Sequence, residues 1–147
     1  MRAVADPVVF NHLGQCVTDV ARSRRFYEDL FKFRFLREIE PPDELSAKLL
    51  SLEPPLGMTV TYLQRDGLVL ELLHYARAGN PPFRSRVMNE PGLTHVSLSV
   101  DDVDSVLAQV PEYGGEVVSE SNIGAGVFIR DPDGQLIELL PMSYRTG

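Results

Sequence analysis

The chain contains an internal repeat, and a repeat constrains the fold more strongly than any single residue propensity. Residues 12–20 align with residues 95–103, and each of these segments opens with a histidine. Residues 66–73 align with residues 133–140, and each of these segments begins with Asp-Gly and carries a glutamate five positions later. Each half of the chain therefore presents a histidine, then Asp-Gly, then a glutamate, in that order.

One helix is predicted in each half, directly after the first strand. Thr18 or Asp19 can cap the first helix, and Asp101 can cap a shorter second helix that Pro111 and residues 114–115 end. Apolar residues recur along one stripe of each helix: Val20, Phe26, Tyr27, Leu30 and Phe31 in the first, and Val103, Val106, Leu107 and Val110 in the second.

Strand-like runs follow each helix. They lie at residues 59–63, 68–75, 116–119, 126–130 and 136–140. Asp66-Gly67 and Asp133-Gly134 are predicted hairpin turns, since these dipeptides tolerate the backbone conformation that such turns need. The order in each half is therefore β-α-β-β-β, and the fold class is α+β with two βαβββ modules.

The length of 147 residues suits one domain built from the two modules. The predicted boundaries are residues 8–75 for the first module, 76–92 for a linker and 93–142 for the second module. Residues 38–57 carry four prolines and a possible short helix at residues 45–50. They are interpreted as an insertion, either a substrate lid or a plain surface loop.

Charge and composition exclude several classes of partner. The net charge is −7 and no run of Lys or Arg exceeds two residues, which argues against nucleic acid and against anionic membrane surfaces. No stretch approaches the length of about 20 apolar residues that spans a bilayer, and no signal peptide is apparent. The single cysteine cannot form an internal disulfide. These features predict a soluble, cytoplasmic protein.

The two histidines are predicted to face a cavity. Side chains alternate across a strand, so His12 shares its face with Gly14 and Cys16, and His95 shares its face with Ser97 and Ser99. The opposite faces carry aliphatic residues that can pack on helices. A strand with small side chains on one face and aliphatic ones on the other is typical of a cavity wall.

The two glutamates lie where a lone carboxylate is unfavourable. Glu71 and Glu138 sit within apolar strands, and an ionised carboxylate there costs several kcal/mol unless it is paired or bound to a metal. Arginine or lysine partners could satisfy one glutamate, but two at equivalent places, each with a histidine, favour a shared cation. His12, Glu71, His95 and Glu138 are therefore the candidate ligands of a divalent metal ion: Zn, Ni, Co, Mn or Fe(II).

Residues 11–14, 25–30, 93–96 and 129–139 carry motifs that resemble the vicinal oxygen chelate superfamily. This superfamily includes glyoxalase I, methylmalonyl-CoA epimerase, extradiol dioxygenases and bleomycin or fosfomycin resistance proteins. The resemblance implies that the two modules form an open eight-stranded cup around the metal. His12, Glu71, His95 and Glu138 match all four ligand positions, which looks like the glyoxalase I arrangement.

The reaction that the resemblance implies is a metal-dependent isomerisation or lyase reaction of the glyoxalase I type, through a metal-stabilised enediolate. Glu138 and Glu71 would be the catalytic residues, with Glu138 the more active of the two. The substrate would be a small molecule and the assembly a homodimer.

Three other functions remain open at this point. They are a methylmalonyl-CoA-epimerase-like enzyme, a non-catalytic small-molecule binding or resistance protein, and an Fe(II) dioxygenase. Methylmalonyl-CoA epimerases commonly have glutamine at the place of Glu71, and the dioxygenases lack this fourth ligand, so Glu71 counts against both.

Overall fold

Two copies of the order β-α-β-β-β follow one another along residues 7–145, which are the residues that the computed structural model describes. The first module contains β1 (Leu13–Cys16), α1 (Val20–Arg24), β2 (Arg34–Ile39), α2 (Asp43–Leu50), β3 (Met58–Arg65) and β4 (Leu68–Tyr75). The second module contains β5 (Val96–Val100), α3 (Val103–Gln109), β6 (Glu116–Val118), β7 (Val127–Arg130) and β8 (Leu136–Pro141). The predicted α+β fold of two βαβββ modules is confirmed.

Each module forms its own four-stranded mixed sheet. The strand orders are β1-β4-β3-β2 and β5-β8-β7-β6. The first and last strands of each module pair in parallel, and the remaining pairs are antiparallel. In both modules the first strand, which follows the histidine, therefore lies at a sheet edge beside the strand that carries the glutamate.

Helices α1 and α3 begin at aspartate caps, and each is extended at its end by a further helical turn. Asp19 Oδ1 accepts a hydrogen bond from the backbone of Arg22 at 3.0 Å, as predicted, but the cap of α3 is Asp102 and not Asp101. A π-helical turn, Arg25–Leu30, extends α1. A 3₁₀ turn, Val110–Tyr113, extends α3 through Pro111, because a proline at the start of a helical turn needs no N–H donor. No helix within residues 7–145 has the length and apolarity to cross a bilayer.

Strand β2 is the element that the sequence patterns did not reveal. Its pairing with β3 shifts register between Phe35 and Arg37, and such a bulge breaks the alternation on which strand prediction depends. All six of its residues are exposed, so there is no buried face to detect. The predicted insertion at residues 38–57 therefore overlaps the end of β2, whereas its short helix is confirmed as α2.

The two Asp-Gly turns differ. Asp66 and Gly67 have φ values of 48° and 82° and join β3 to β4 as a two-residue hairpin turn, as predicted. Asp133 and Gly134 also lie in a hairpin connection, as predicted, but that connection between β7 and β8 is longer and spans residues 131–135. The longer loop forms because the Asp131 carboxylate organises it.

The modules share one apolar core. The cluster combines residues of the first module from Val17 to Leu72 with residues of the second module from Val110 to Leu139. The largest of its fully buried side chains are Tyr27 and Phe26, which come from the helical segment of the first module. Because the helical side of the first sheet packs against the second module, the histidine-bearing faces are left outside this core.

Asp131 is a buried carboxylate at the contact between the modules. It is 3% exposed, and its Oδ2 accepts hydrogen bonds from Tyr27 Oη at 2.8 Å and from Gln15 Nε2 at 3.2 Å. Its Oδ1 accepts from the backbone N–H groups of Asp133 and Gln135 at 2.9 and 2.8 Å. Burial raises the pKa of Asp131 above its ordinary value of 3.8, although the hydrogen bonds from Tyr27, Gln135 and Asp133 lower it in part.

The raised pKa of Asp131 predicts a specific dependence of stability on pH. Between pH 3.8 and the raised pKa, the folded protein binds more protons at Asp131 than the unfolded chain does, so this residue's contribution to stability falls as pH rises. The free energy of unfolding of the wild type minus that of Asp131→Asn is therefore expected to decrease through this window and then level off. Urea denaturation at a series of pH values measures this difference. The exposed Asp29→Asn substitution is the control, and a difference that is constant with pH would contradict the prediction.

Candidate metal centre

The first predicted pair, His12 and Glu71, comes together at the edge of the first sheet. His12 directly precedes β1, and Gly14 of β1 lies opposite Glu71 of β4. His12 Nε2 lies 3.3 Å from Glu71 Oε2, and the Glu71 side chain is 12% exposed. His12 Nδ1 lies 2.5 Å from Asn11 Oδ1. When Nδ1 donates to that oxygen, the lone pair of Nε2 is free to bind a metal.

The second predicted pair, His95 and Glu138, occupies the equivalent place in the second sheet. His95 Nε2 lies 3.8 Å from Glu138 Oε1, and Ser97 Oγ donates a hydrogen bond to the same carboxylate oxygen at 2.8 Å. His95 Nδ1 lies 2.8 Å from Thr94 Oγ1. Glu138 is more open to solvent than Glu71, with 30% of its side chain exposed.

The residues that flank the two pairs are not equivalent. Residues that pair across neighbouring strands form a row, and in the first sheet the row that contains Glu71 is Arg37, Tyr62, Glu71 and Gly14. Across the second sheet the corresponding row reads Val118, Phe128, Glu138, Ser97. A Cβ atom added at Gly14 would lie 3.3 Å from Glu71 Oε1, so this position leaves room for the Glu71 carboxylate where Ser97 instead binds Glu138.

Aromatic rings hold both histidines edge to face. The ring centroids of His12 and Tyr62 are 5.9 Å apart, and those of His95 and Phe128 are 5.2 Å apart. Burial raises the pKa of the Tyr62 phenol, as does its interaction with the Glu71 carboxylate, while Arg37 opposes both. Sequence reasoning did not identify Arg37, because the bulge in β2 hides which face it occupies.

The two pairs do not meet within one chain. Among residues 7–145, no three His, Cys, Asp or Glu side chains converge as a metal ion requires. A cavity of about 930 Å³ between the modules is lined by Ser97 but by none of the four predicted ligands. Each pair supplies one imidazole nitrogen and one carboxylate, whereas a catalytic zinc ion usually has three protein ligands. The donor types fit a divalent cation, and each pair contains two of the four predicted ligands.

The chain belongs to the Glyoxalase/Bleomycin resistance protein/Dioxygenase superfamily, whose family model matches residues 9–139. This finding confirms the resemblance that the sequence motifs indicated. The fold agrees, because a solved structure of a glyoxalase family protein from Bacillus cereus superimposes with a TM-score of 0.74 at 17% identity. That match covers 95% of this chain and 98% of the other.

The curated relatives of this chain are named lactoylglutathione lyase or glyoxalase I. A probable lactoylglutathione lyase of Synechocystis is 29% identical over 134 residues, covering 88% of this chain and 92% of that protein. A lactoylglutathione lyase of Arabidopsis thaliana is 26% identical over 137 residues, covering 89% of this chain. The chain spans only 43% of the length of the Arabidopsis protein, and the same share of glyoxalase I of Saccharomyces cerevisiae.

Proposed function

We propose that this protein is a divalent-metal-dependent enzyme of the glyoxalase I type, which isomerises small carbonyl compounds. The observation that carries the proposal is the pair of equivalent half-sites, His12 with Glu71 and His95 with Glu138. Two imidazoles and two carboxylates are a ligand set suited to Zn, Ni, Co, Mn or Fe(II). The names of the curated relatives, at 26–29% identity, support the same class of reaction.

A second copy of the chain would complete the ligand set. Both half-sites lie at sheet edges, on faces that the shared core leaves uncovered. In a two-fold symmetric dimer, the His12 half-site of each copy can meet the His95 half-site of the other, which builds two identical sites. We therefore propose a homodimer whose sites each use one module from each chain.

A bound divalent cation would act as a Lewis acid on a substrate carbonyl oxygen. Glu138 then accepts the proton from the neighbouring carbon, because its carboxylate is the more exposed of the two and is oriented by Ser97. The electron pair of the broken C–H bond moves toward the carbonyl group. Glu71, on the opposite side of the completed site, takes up the proton of the neighbouring hydroxyl group and delivers it to the former carbonyl carbon. Glu138 passes its proton to the oxygen of that carbon, so the isomerisation balances and both carboxylates are regenerated.

Mixing two inactive variants tests this arrangement. His12→Ala and His95→Ala are each expected to lose stoichiometric metal and turnover, because every site in either homodimer lacks one imidazole. After the two variants are unfolded and refolded together, random pairing makes half of the dimers mixed, and each mixed dimer has one intact site of two. Metal content and turnover of a methylglyoxal-thiol adduct should therefore recover to about a quarter of wild type.

His74→Ala is the matched control for this experiment, since His74 lies on β4 outside the predicted ligand set. It should retain full metal content and gain nothing from mixing. If the mixture stays without metal while wild type binds it, the site lies within one chain. If wild type holds no divalent ion, measured by plasma emission spectrometry, the proposed function itself is wrong.

A further inference from the structure

Arg37 distinguishes the two halves of the proposed site. The row across the first sheet carries Arg37 and Tyr62 beside Glu71, whereas the row across the second sheet carries Val118 and Phe128 beside Glu138. The modules otherwise match in strand order and in the placement of their histidines and glutamates. One side of the completed site would therefore be cationic and polar, and the other apolar.

The Arg37 guanidinium is available to a ligand. Its Cζ atom lies 4.8 Å from the centroid of the Tyr62 ring, a cation-π contact that orients the guanidinium beside the row that leads to Glu71. None of the ion pairs found among residues 7–145 involves Arg37. The neighbouring Glu38 is already engaged, since it accepts a hydrogen bond from Thr61 Oγ1 at 2.8 Å.

The charge balance of the proposed site favours an anionic ligand. The carboxylates of Glu71 and Glu138 would offset the two positive charges of a divalent cation. Arg37 then contributes a positive charge that no acidic side chain of its own row, apart from the ligand Glu71, can offset. An arginine fork next to a phenolic hydroxyl matches the two oxygens of a carboxylate.

We propose that Arg37, with Tyr62, binds a carboxylate group of the substrate and so selects carbonyl compounds that carry a carboxylate at one end. The apolar row of Phe128 and Val118 would accommodate the other end. This inference rests on the proposed function, because it places the reacting carbonyl group between the two half-sites. It assigns Arg37 and Tyr62 to substrate selection and gives them no part in the proton transfer.

Two matched hydroxamates test the assignment by direct binding. Succinic monohydroxamate ends in a carboxylate, and its terminal primary amide has nearly the same shape without the charge, while the hydroxamate end chelates metal ions. Calorimetric titration of the Zn²⁺-loaded wild type is expected to show about tenfold tighter binding of the acid than of the amide, as a charge-assisted contact implies. Arg37→Gln should bind both probes equally, Arg37→Lys should retain part of the preference, and Tyr62→Phe should weaken it.

Arg34→Gln is the matched control, because Arg34 lies on the same strand but donates to Gln64 Oε1 at 2.7 Å. It removes the same charge and should leave the preference intact. Equal loss of the preference in Arg34→Gln and Arg37→Gln would overturn the assignment. If the amide binds the metal-loaded protein but the acid has no advantage, the inference fails and the proposed function stands. If the protein binds neither Zn²⁺ nor either probe, both fail.

Discussion

Replacing Glu138 by glutamine is expected to lower turnover about a hundredfold to ten-thousandfold, which is the usual contribution of a positioned general base. Glutamine keeps the size and shape of the side chain, so the Ser97 contact and the strand are retained, but it cannot accept a proton. The measurement is kcat at saturating metal, together with metal content by plasma emission spectrometry. Because Glu138 is also a proposed ligand, added metal should restore occupancy without restoring turnover.

Glu71→Gln provides the comparison for Glu138→Gln. Glu71 Oε2 lies 3.3 Å from His12 Nε2, and the Glu71 side chain is largely shielded from solvent. The substitution is therefore expected to weaken metal binding more than turnover. At saturating metal, Glu71→Gln should retain more turnover than Glu138→Gln. The reverse order would assign the base to Glu71. The turnover of Ser97→Ala should be intermediate between those of wild type and Glu138→Gln, because this substitution removes only the hydroxyl that orients the Glu138 carboxylate.

Gly115→Ala is expected to lower the free energy of unfolding by about 1–3 kcal/mol, through overpacking at the contact between the modules. An added Cβ would lie 2.7 Å from the backbone oxygen of Arg130 and 2.8 Å from both Phe26 Cε2 and Val110 Cγ1. Phe26 is fully buried and cannot move aside without disturbing the shared core. Urea denaturation of the metal-free protein measures the change without a contribution from ligand binding.

Gly14→Ala is the matched control for Gly115→Ala, because the chemical change is the same but the surroundings differ. Its added Cβ would lie 3.3 Å from Glu71 Oε1, the far end of a flexible side chain, and 3.8 Å from Leu73 Cδ1. Its effect on stability should stay within about 0.5 kcal/mol, as for most changes away from a packed core. Equal destabilisation by both substitutions would contradict the crowding argument at Gly115.

Strand parity and the repeat predicted most of the fold and the two histidine–glutamate pairs. Both are local properties: alternation along β4 and β8 places Glu71 and Glu138 on a definite face, and the repeat marks the histidine that accompanies each. Whether the two histidine–glutamate pairs meet within one chain depends on how the two modules pack against each other. That packing is decided by contacts such as Tyr27 with Asp131, 104 residues apart in sequence, which no local pattern reveals.

The position of Arg37 and the burial of Asp131 were not predicted, because the local sequence pattern was absent or misleading. Strand β2 has no buried face and contains a bulge, so Arg37 could not be placed beside Tyr62. Asp131 precedes a proline in a turn-like segment, where an aspartate is usually exposed. Asp131 is buried because Gln15 and Tyr27 of the other module donate hydrogen bonds to it. These contacts join residues that are far apart in sequence, so a local pattern does not predict them.

Strand β1 takes part both in the proposed half-site and in the contact between the modules. Gly14 lies opposite Glu71 on the face of the half-site, while the adjacent Gln15 points the other way and donates to Asp131 of the second module. Because successive residues face opposite sides, inserting or deleting one residue here would exchange the two faces. Both the half-site and the module contact would then be lost in a single step. Descendants of this chain can therefore vary in length around α2, where the second module has only a short 3₁₀ turn, Ser119–Ser121. The four residues of β1 must be inherited without insertion or deletion.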